Sequence, residues 1–141
     1  MPDLKGYRIP ADLLLILETL WLLLYYNFAV AARPMPLILE RIRSLKKNNN
    51  SRSPEADATL DKAWRACNFF LLRVAGSGRP CLKRALVMYN FSCRMGLEAT
   101  VMIGVLKGGS GIAGHGWIEI EGIPYRENME ELAKYTVMLT G

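Results

Sequence analysis

The sequence predicts an α+β fold, with helices first and a small antiparallel sheet after them, and three observations carry that expectation. Up to Gly96 the apolar residues recur at helical spacing between prolines and glycines. From LEATVMIGVL onward they alternate, with β-branched residues and with glycines at the turns. At 141 residues and 51% hydrophobic, the chain is also long enough to enclose one ordinary core.

Residues 11 to 32, ADLLLILETLWLLLYYNFAVAA, form the first expected helix, ending near Arg33 because Pro34 and Pro36 both disfavour continuation. A run this apolar is long enough to span a bilayer, and its short basic start with Ala-Val-Ala imitates a signal peptide. Asp12 interrupts the start of the run, and Glu18 would lie near mid-span, where a charge costs about 2.5–3.5 kcal/mol. Asp12, Thr19 and Tyr26 recur every seven residues, the pattern of a narrow polar strip on an otherwise buried helix. A core or partner helix is the preferred reading, and peripheral membrane contact through residues 11 to 32 stays open.

Pro36 opens a second helix, PLILERIRSLKK, with Leu37, Ile38, Ile42 and Leu45 as its apolar face. The polar run 48–53 reads as a linker, so the expected organisation is a helical hairpin over 1–47, a linker over 48–53 and a core over 54–141, together one compact unit. Ser53-Pro54 offers a cap and a first-turn proline for a helix to about Ala75, with Leu60, Trp64, Cys67, Leu71 and Val74 on one stripe. Gly76 and Gly78 end it. Pro80 begins a fourth helix, running to Gly96 with Leu82, Leu86, Tyr89 and Cys93 inward. Two strands follow, LEATVMIGVL and HGWIEIE, separated by the glycine-rich KGGSGIAG; Gly122 then turns the chain into IPYRE, and ENMEELAKYTVML is expected to close the domain as a short helix.

The net charge of +5 favours acidic partners without choosing among them, and no interleaving of aromatic and basic residues points to nucleic acid. Three cysteines, none in a CxxC spacing, and a single histidine support neither a disulfide framework nor a zinc site, so no metal or cofactor is expected and the compartment expected is the cytoplasm.

Cys81 stands apart from Cys67 and Cys93, which fall on apolar stripes and read as core. It lies in the first turn of its helix, directly after Gly78-Arg79-Pro80. Unpaired N–H groups at a helix start carry partial positive charge and stabilise a thiolate, and Lys83 and Arg84 add to the positive field. His115, at the start of a strand, is the one imidazole available as its base. A third group must orient that ring. A three-residue loop Ile120-Glu121-Gly122 would pair Ile123 with Glu119 and bring Glu127 opposite His115; a two-residue Glu-Gly turn would bring Asn128 there instead. Glu127 is preferred, because Glu-Gly is a weaker two-residue signal than Asn-Gly.

CLKRALVMYNFSCRMGLEATVMIGV and GHGWIEIEGIPYRE, within Pro80 to Glu127, resemble the C-terminal, transglutaminase-like core of the lasso-peptide B proteins, the microcin-processing leader peptidases. Cys81, Arg84, His115, Trp117 and Gly122 together carry the resemblance, and the Leu-rich N-terminal half looks like the helices of the short, stand-alone members. Gly116 stands where alanine is usual, and Glu127 where aspartate is usual. The resemblance implies a papain-like arrangement with the catalytic helix packed on the sheet. It further implies a cysteine peptidase that frees the core peptide from its leader through a thioester, with Arg84 and Trp117 shaping the site. The partners it implies are a ribosomal precursor peptide, a small PqqD-like leader-binding protein and an ATP-dependent lasso cyclase. Two other readings stay open: acyl transfer to an amine, as in a transglutaminase, and a non-catalytic, membrane-associated scaffold.

Overall fold

A computed structural model describes residues 11–46, 53–73, 80–106 and 114–140. Four helices precede the sheet: α1 (Ala11–Ala32), α2 (Met35–Arg43), α3 (Pro54–Arg73) and α4 (Pro80–Arg94). Strands β1 (Ala99–Leu106), β2 (Gly114–Ile120), β3 (Ile123–Pro124) and β4 (Tyr135–Thr140) follow, with a one-turn helix α5 (Met129–Leu132) between the last two. The sheet is antiparallel with strand order β3-β2-β1-β4. The α+β expectation holds. Most of the linker 48–53, the stop at Gly76 and Gly78, and the glycine-rich stretch before Gly114 lie outside the described residues.

The helix ends follow local chemistry. Pro34 caps α2 and Pro36 occupies its first turn; Ser53 Oγ accepts from Ala56 N–H at 3.2 Å ahead of Pro54. At the end of α4, Gly96 takes φ +77°, while Leu97 N–H reaches Ser92 O and Gly96 N–H reaches Cys93 O. This pair of bonds satisfies the last carbonyls and turns the chain into the sheet.

Helix α4 is the axis of the molecule. It touches α1, α2, α3, β1 and β2, and from Leu82 to Cys93 every residue except Arg84 is buried. Leu82, Leu86, Tyr89 and Cys93 face inward as expected, and so do Leu60 and Cys67 of α3. On α2, Ile38 and Ile42 are buried, but Leu39 joins them while Leu37 and Leu45 are exposed. The inward face of this short helix is centred one position away from the expected one.

On α1 the expectation is reversed. Asp12, Thr19 and Tyr26 do form one strip, but it faces the protein, together with Leu22, Leu23 and Ala29. Lys62 Nζ reaches Asp12 Oδ1 at 3.0 Å, Asn90 Nδ2 donates to Tyr26 Oη at 2.9 Å, Lys83 Nζ donates to Asn27 Oδ1 at 2.6 Å, and Arg94 pairs with Glu18. Leucines and aromatics point outward, with Leu14 72%, Trp21 60% and Phe28 70% exposed. A helix apolar on nearly every side has no hydrophobic face to choose, so the few polar side chains that find buried partners orient it.

Two further expectations are corrected. The β2–β3 hairpin has a two-residue loop, with Ile120 opposite Ile123 and Glu119 opposite Pro124, because Glu121 and Gly122 both take positive φ, 54° and 80°. That turn matches the right-handed twist of the strands, which outweighs the poor fit of glutamate to the left-handed region. The C-terminal segment is helical only over Met129–Leu132; Tyr135–Thr140 pairs with β1 as an edge strand. Its alternation and β-branched residues suit a pleated surface better than a helix.

Leu86 is fully buried, so Leu86→Ala should lower unfolding free energy by about 2–5 kcal/mol in urea titrations. Leu17→Ser, on the outward face of α1, should change it by no more than about 0.5 kcal/mol. A large loss from Leu17→Ser would mean that α1 packs by its apolar face.

Candidate active site

Cys81, His115 and Glu127 come from three separate elements and meet at one end of the α4–sheet contact. Helix α4 brings Cys81 in its first turn, β2 brings His115 at its second residue, and the turn after β3 brings Glu127. His115 Nε2 lies 3.1 Å from Glu127 Oε2, with the two side chains 19% and 13% exposed. That contact leaves Nδ1 for the thiol, and the His115 ring is hydrogen-bonded to Cys81.

Glu127 arrives by a route that neither strand register foresaw. With a two-residue hairpin, a continued ladder would have set Asn128 opposite His115. The ladder stops instead. Tyr125 N–H still bonds Ile118 O at 2.9 Å, but Arg126 takes φ +53° and turns the chain so that the Glu127 carboxylate faces the imidazole. Asn128 is occupied elsewhere, its side chain capping α5 by accepting from Glu130 N–H at 2.9 Å.

Helix α3 braces that turn. Arg126 pairs with Asp61, and Tyr125 meets Trp64 edge-on at 5.8 Å. The other face of this brace is Arg84, whose guanidinium lies 4.0 Å over the Trp64 ring and donates from Nη1 to Asn68 Oδ1 at 2.7 Å. Its charge acts on Glu127, Cys67 and Cys81. Arg84 is thus half-buried beside the site, not on the open surface. Lys83, expected to add to the same field, turns the other way to Asn27 on α1.

Aromatic rings fix the imidazole. Trp117 lies 5.6 Å from His115 at 21°, and Tyr135 lies 5.4 Å away at 30°. Trp117 is buried, and its Nε1 has no hydrogen-bond partner among the described residues. Tyr135 does not stand out in a segment that opens in helical style; the alternation in YTVMLT is the signal that puts it on a strand.

Burial works to raise the Cys81 thiol, but hydrogen bonds from His115 and from the Gly116 and Leu82 backbone N–H groups, with the His115 charge, outweigh it and hold the thiol below its ordinary value. His115 moves the opposite way: its bonds to Cys81 and Glu127 lift it to about 9 against the desolvation that lowers it. Both shifts favour the thiolate–imidazolium form of the pair. Burial pushes Cys67 up to about 12 and raises Cys93, so neither is a nucleophile near neutrality. Among the described residues no group of three or more His, Cys, Asp and Glu side chains is placed to hold a metal ion.

The model of the transglutaminase-like superfamily matches residues 22–140. The chain belongs to the transglutaminase-like superfamily. This superfamily includes cysteine peptidases and acyl transferases and usually works by cysteine-based catalysis. No curated protein and no solved structure matches the chain. The matched region takes in the second half of α1, all of α2, α3 and α4, and the sheet.

Two measurements follow. Iodoacetamide at neutral pH should label Cys81 at least about tenfold faster than Cys67 or Cys93, read by mass spectrometry of the tryptic peptides; equal labelling would remove the thiolate. His115 is the single histidine, so its ring proton resonance reports its titration directly. The midpoint should lie near 9, fall in Glu127→Gln as the carboxylate that favours the charged form is lost, and stay unchanged in Asn128→Ala.

Proposed function

We propose that this protein is a cysteine peptidase that removes the leader from a lasso-peptide precursor. The observation that carries the catalytic half of this reading is the hydrogen-bonded series Cys81, His115, Glu127, in which the thiol is lowered and the imidazole raised. The substrate half rests on the resemblance of Cys81, Arg84, His115, Trp117 and Gly122 to the B-protein pattern.

The Cys81 thiolate attacks the carbonyl carbon of the bond joining leader to core. The resulting oxyanion accepts a hydrogen bond from the Cys81 backbone N–H, a first-turn donor with no carbonyl partner inside α4. His115 gives its proton to the leaving nitrogen, the C–N bond breaks, and the leader remains on Cys81 as a thioester while the core departs with a free amine. Water then attacks the thioester and gives its proton to His115; the leader leaves as a carboxylic acid and the thiolate–imidazolium pair is restored. Glu127 holds the ring in the orientation that keeps Nδ1 on the sulfur, and its charge stabilises the imidazolium. Trp117 and Tyr135 limit rotation of the ring.

Thiolate attack is lost as pH falls through the lowered Cys81 value. Proton donation is lost as pH rises through about 9. The leader is presented by a PqqD-like leader-binding protein, and the freed amine passes to an ATP-dependent cyclase. The reaction itself is placed in the cytoplasm.

The deciding experiment is mass spectrometry of a lasso-peptide precursor incubated with its leader-binding protein and this chain. Wild type should release free leader and core; Cys81→Ala should abolish release, and His115→Ala should slow it by at least about a hundredfold. Leader joined to an added amine would assign acyl transfer instead. Release by all three alike would remove Cys81 and His115 as the catalytic groups, and release by none of them would leave the non-catalytic scaffold.

A further inference from the structure

A pocket of about 250 Å³ lies between α1, α2 and α4, away from the thiol. Asn90, at its floor, follows Cys81 by nine residues, which places it about 13.5 Å along α4 and on the opposite side of that helix. Its lining is unusual. Asn90 is 6% exposed; its Nδ2 donates to Tyr26 Oη at 2.9 Å, but its Oδ1 is buried and has no hydrogen-bond partner among the described residues. Buried acceptors are almost always paired, so this one is placed to receive a donor from whatever fills the pocket.

The walls define the body of that occupant. Trp21 and Tyr25 stack at 5.3 Å and 9° on one side, and Ile38 and Ile42 face them from α2. An apolar cavity of about 150 Å³ holds benzene; the present one admits a phenol or an indole. At the rim stand Arg33 and Arg41, both exposed, and among the described residues neither has an ion-pair partner. Both also border the neighbouring hollow, where Glu40 offsets one of the two charges, so the rim keeps a positive excess. Trp21 carries the apolar surface onward into the outward stripe Leu14, Leu17, Leu24 and Phe28 of α1.

We propose that this pocket docks an acidic polypeptide segment that inserts one tyrosine or tryptophan side chain. The inserted O–H or N–H donates to Asn90 Oδ1, the ring lies against Trp21 and Tyr25, and a neighbouring carboxylate pairs with Arg33 and Arg41. The apolar stripe of α1 takes the flanking residues. A buried aromatic anchor, an apolar surround and a charged rim are the parts of a protein docking site. A lipid surface supplies the anion but no donor-bearing ring to reach the buried acceptor. This inference does not depend on the reaction at Cys81.

The test is selection of random twelve-residue peptides displayed on phage against the full-length Cys81→Ala chain, followed by fluorescence anisotropy of the enriched peptides. Enriched sequences should share a Tyr or Trp within a few residues of Asp or Glu. Their affinity should fall at least about tenfold when that Tyr is replaced by Phe, and at least about tenfold in the Arg33→Glu/Arg41→Glu chain, whose changes are at exposed positions and whose folding is checked by circular dichroism. Enriched peptides that lack this signature, or that bind the double variant equally well, overturn the proposal. So does binding to phosphatidylglycerol vesicles through Arg33 and Arg41 when no peptide is enriched.

Discussion

Gly116 faces the first turn of α4 so closely that a Cβ there would meet Leu82 Cα at 3.0 Å and Leu82 Cδ1 at 3.2 Å. A side-chain tip could move aside, but the helix backbone could not without moving the turn that carries Cys81. The missing methyl lets α4 settle onto β2 until the Gly116 N–H reaches the sulfur. On the other face of the sheet the same economy recurs at Gly104, the residue paired with His115. A Cβ there would meet Tyr135 Cβ at 3.0 Å and Thr136 O at 3.2 Å, with Trp117 Cη2 at 3.4 Å. One glycine admits the helix and the other admits the two rings that flank the imidazole. The alanine usual in the B-protein pattern at the first of these positions would require α4 to stand slightly further off.

That close approach sets the electrostatics. Desolvation alone would make Cys81 a weaker acid, as it does Cys67 and Cys93 on the neighbouring buried faces. Three hydrogen bonds reverse the balance at Cys81, and all three exist because the helix start, the β2 backbone and the His115 ring share one small space. Glu127 completes the arrangement from a turn with no ladder of its own, which is why the α3 brace matters. Asp61 holds the left-handed residue Arg126 itself and Trp64 holds Tyr125 just before it, so the carboxylate is fixed by packing where pairing has ended.

How much of this was legible in the sequence depended on whether local chemistry or tertiary pairing decided each feature. The starts of α2, α3 and α4 were legible because proline, serine and glycine act within a few residues. Cys81 was legible because its place in a first turn is local, and His115 because the chain has one histidine. The side of α1 was not legible: its inward face is set by Lys62, Asn90 and Arg94, all at least fifty residues away in sequence. The structure sets Glu127 beside His115 although the hairpin register is the two-residue one. Glu121 took the left-handed conformation that argued against a two-residue loop, and Arg126 took another one five residues later, restoring Glu127 to the position that the longer loop had given it. β4 does not read as a strand, because MEEL opens its segment in helical style and the edge of β1 that captures the rest is not visible in the local sequence.

The same central helix joins the site to the pocket behind it. α4 is packed by α1, α2 and α3 and by two strands along nearly its whole length, so it behaves as a rod with Cys81 at one end and Asn90 well toward the other. A rod held on all sides does not bend when one end is touched, and a ligand that leaves the two ends in the same arrangement cannot shift an equilibrium between arrangements. A segment docked at the α1–α2–α4 pocket, as proposed above, would act on the chemistry through proximity, by raising the local concentration of whatever is attached to it. The reach required is set by the path around α4, since the two sites open on opposite sides of that helix. An attached substrate must pass around the helix and not along it, which favours an extended, flexible connection over a compact one.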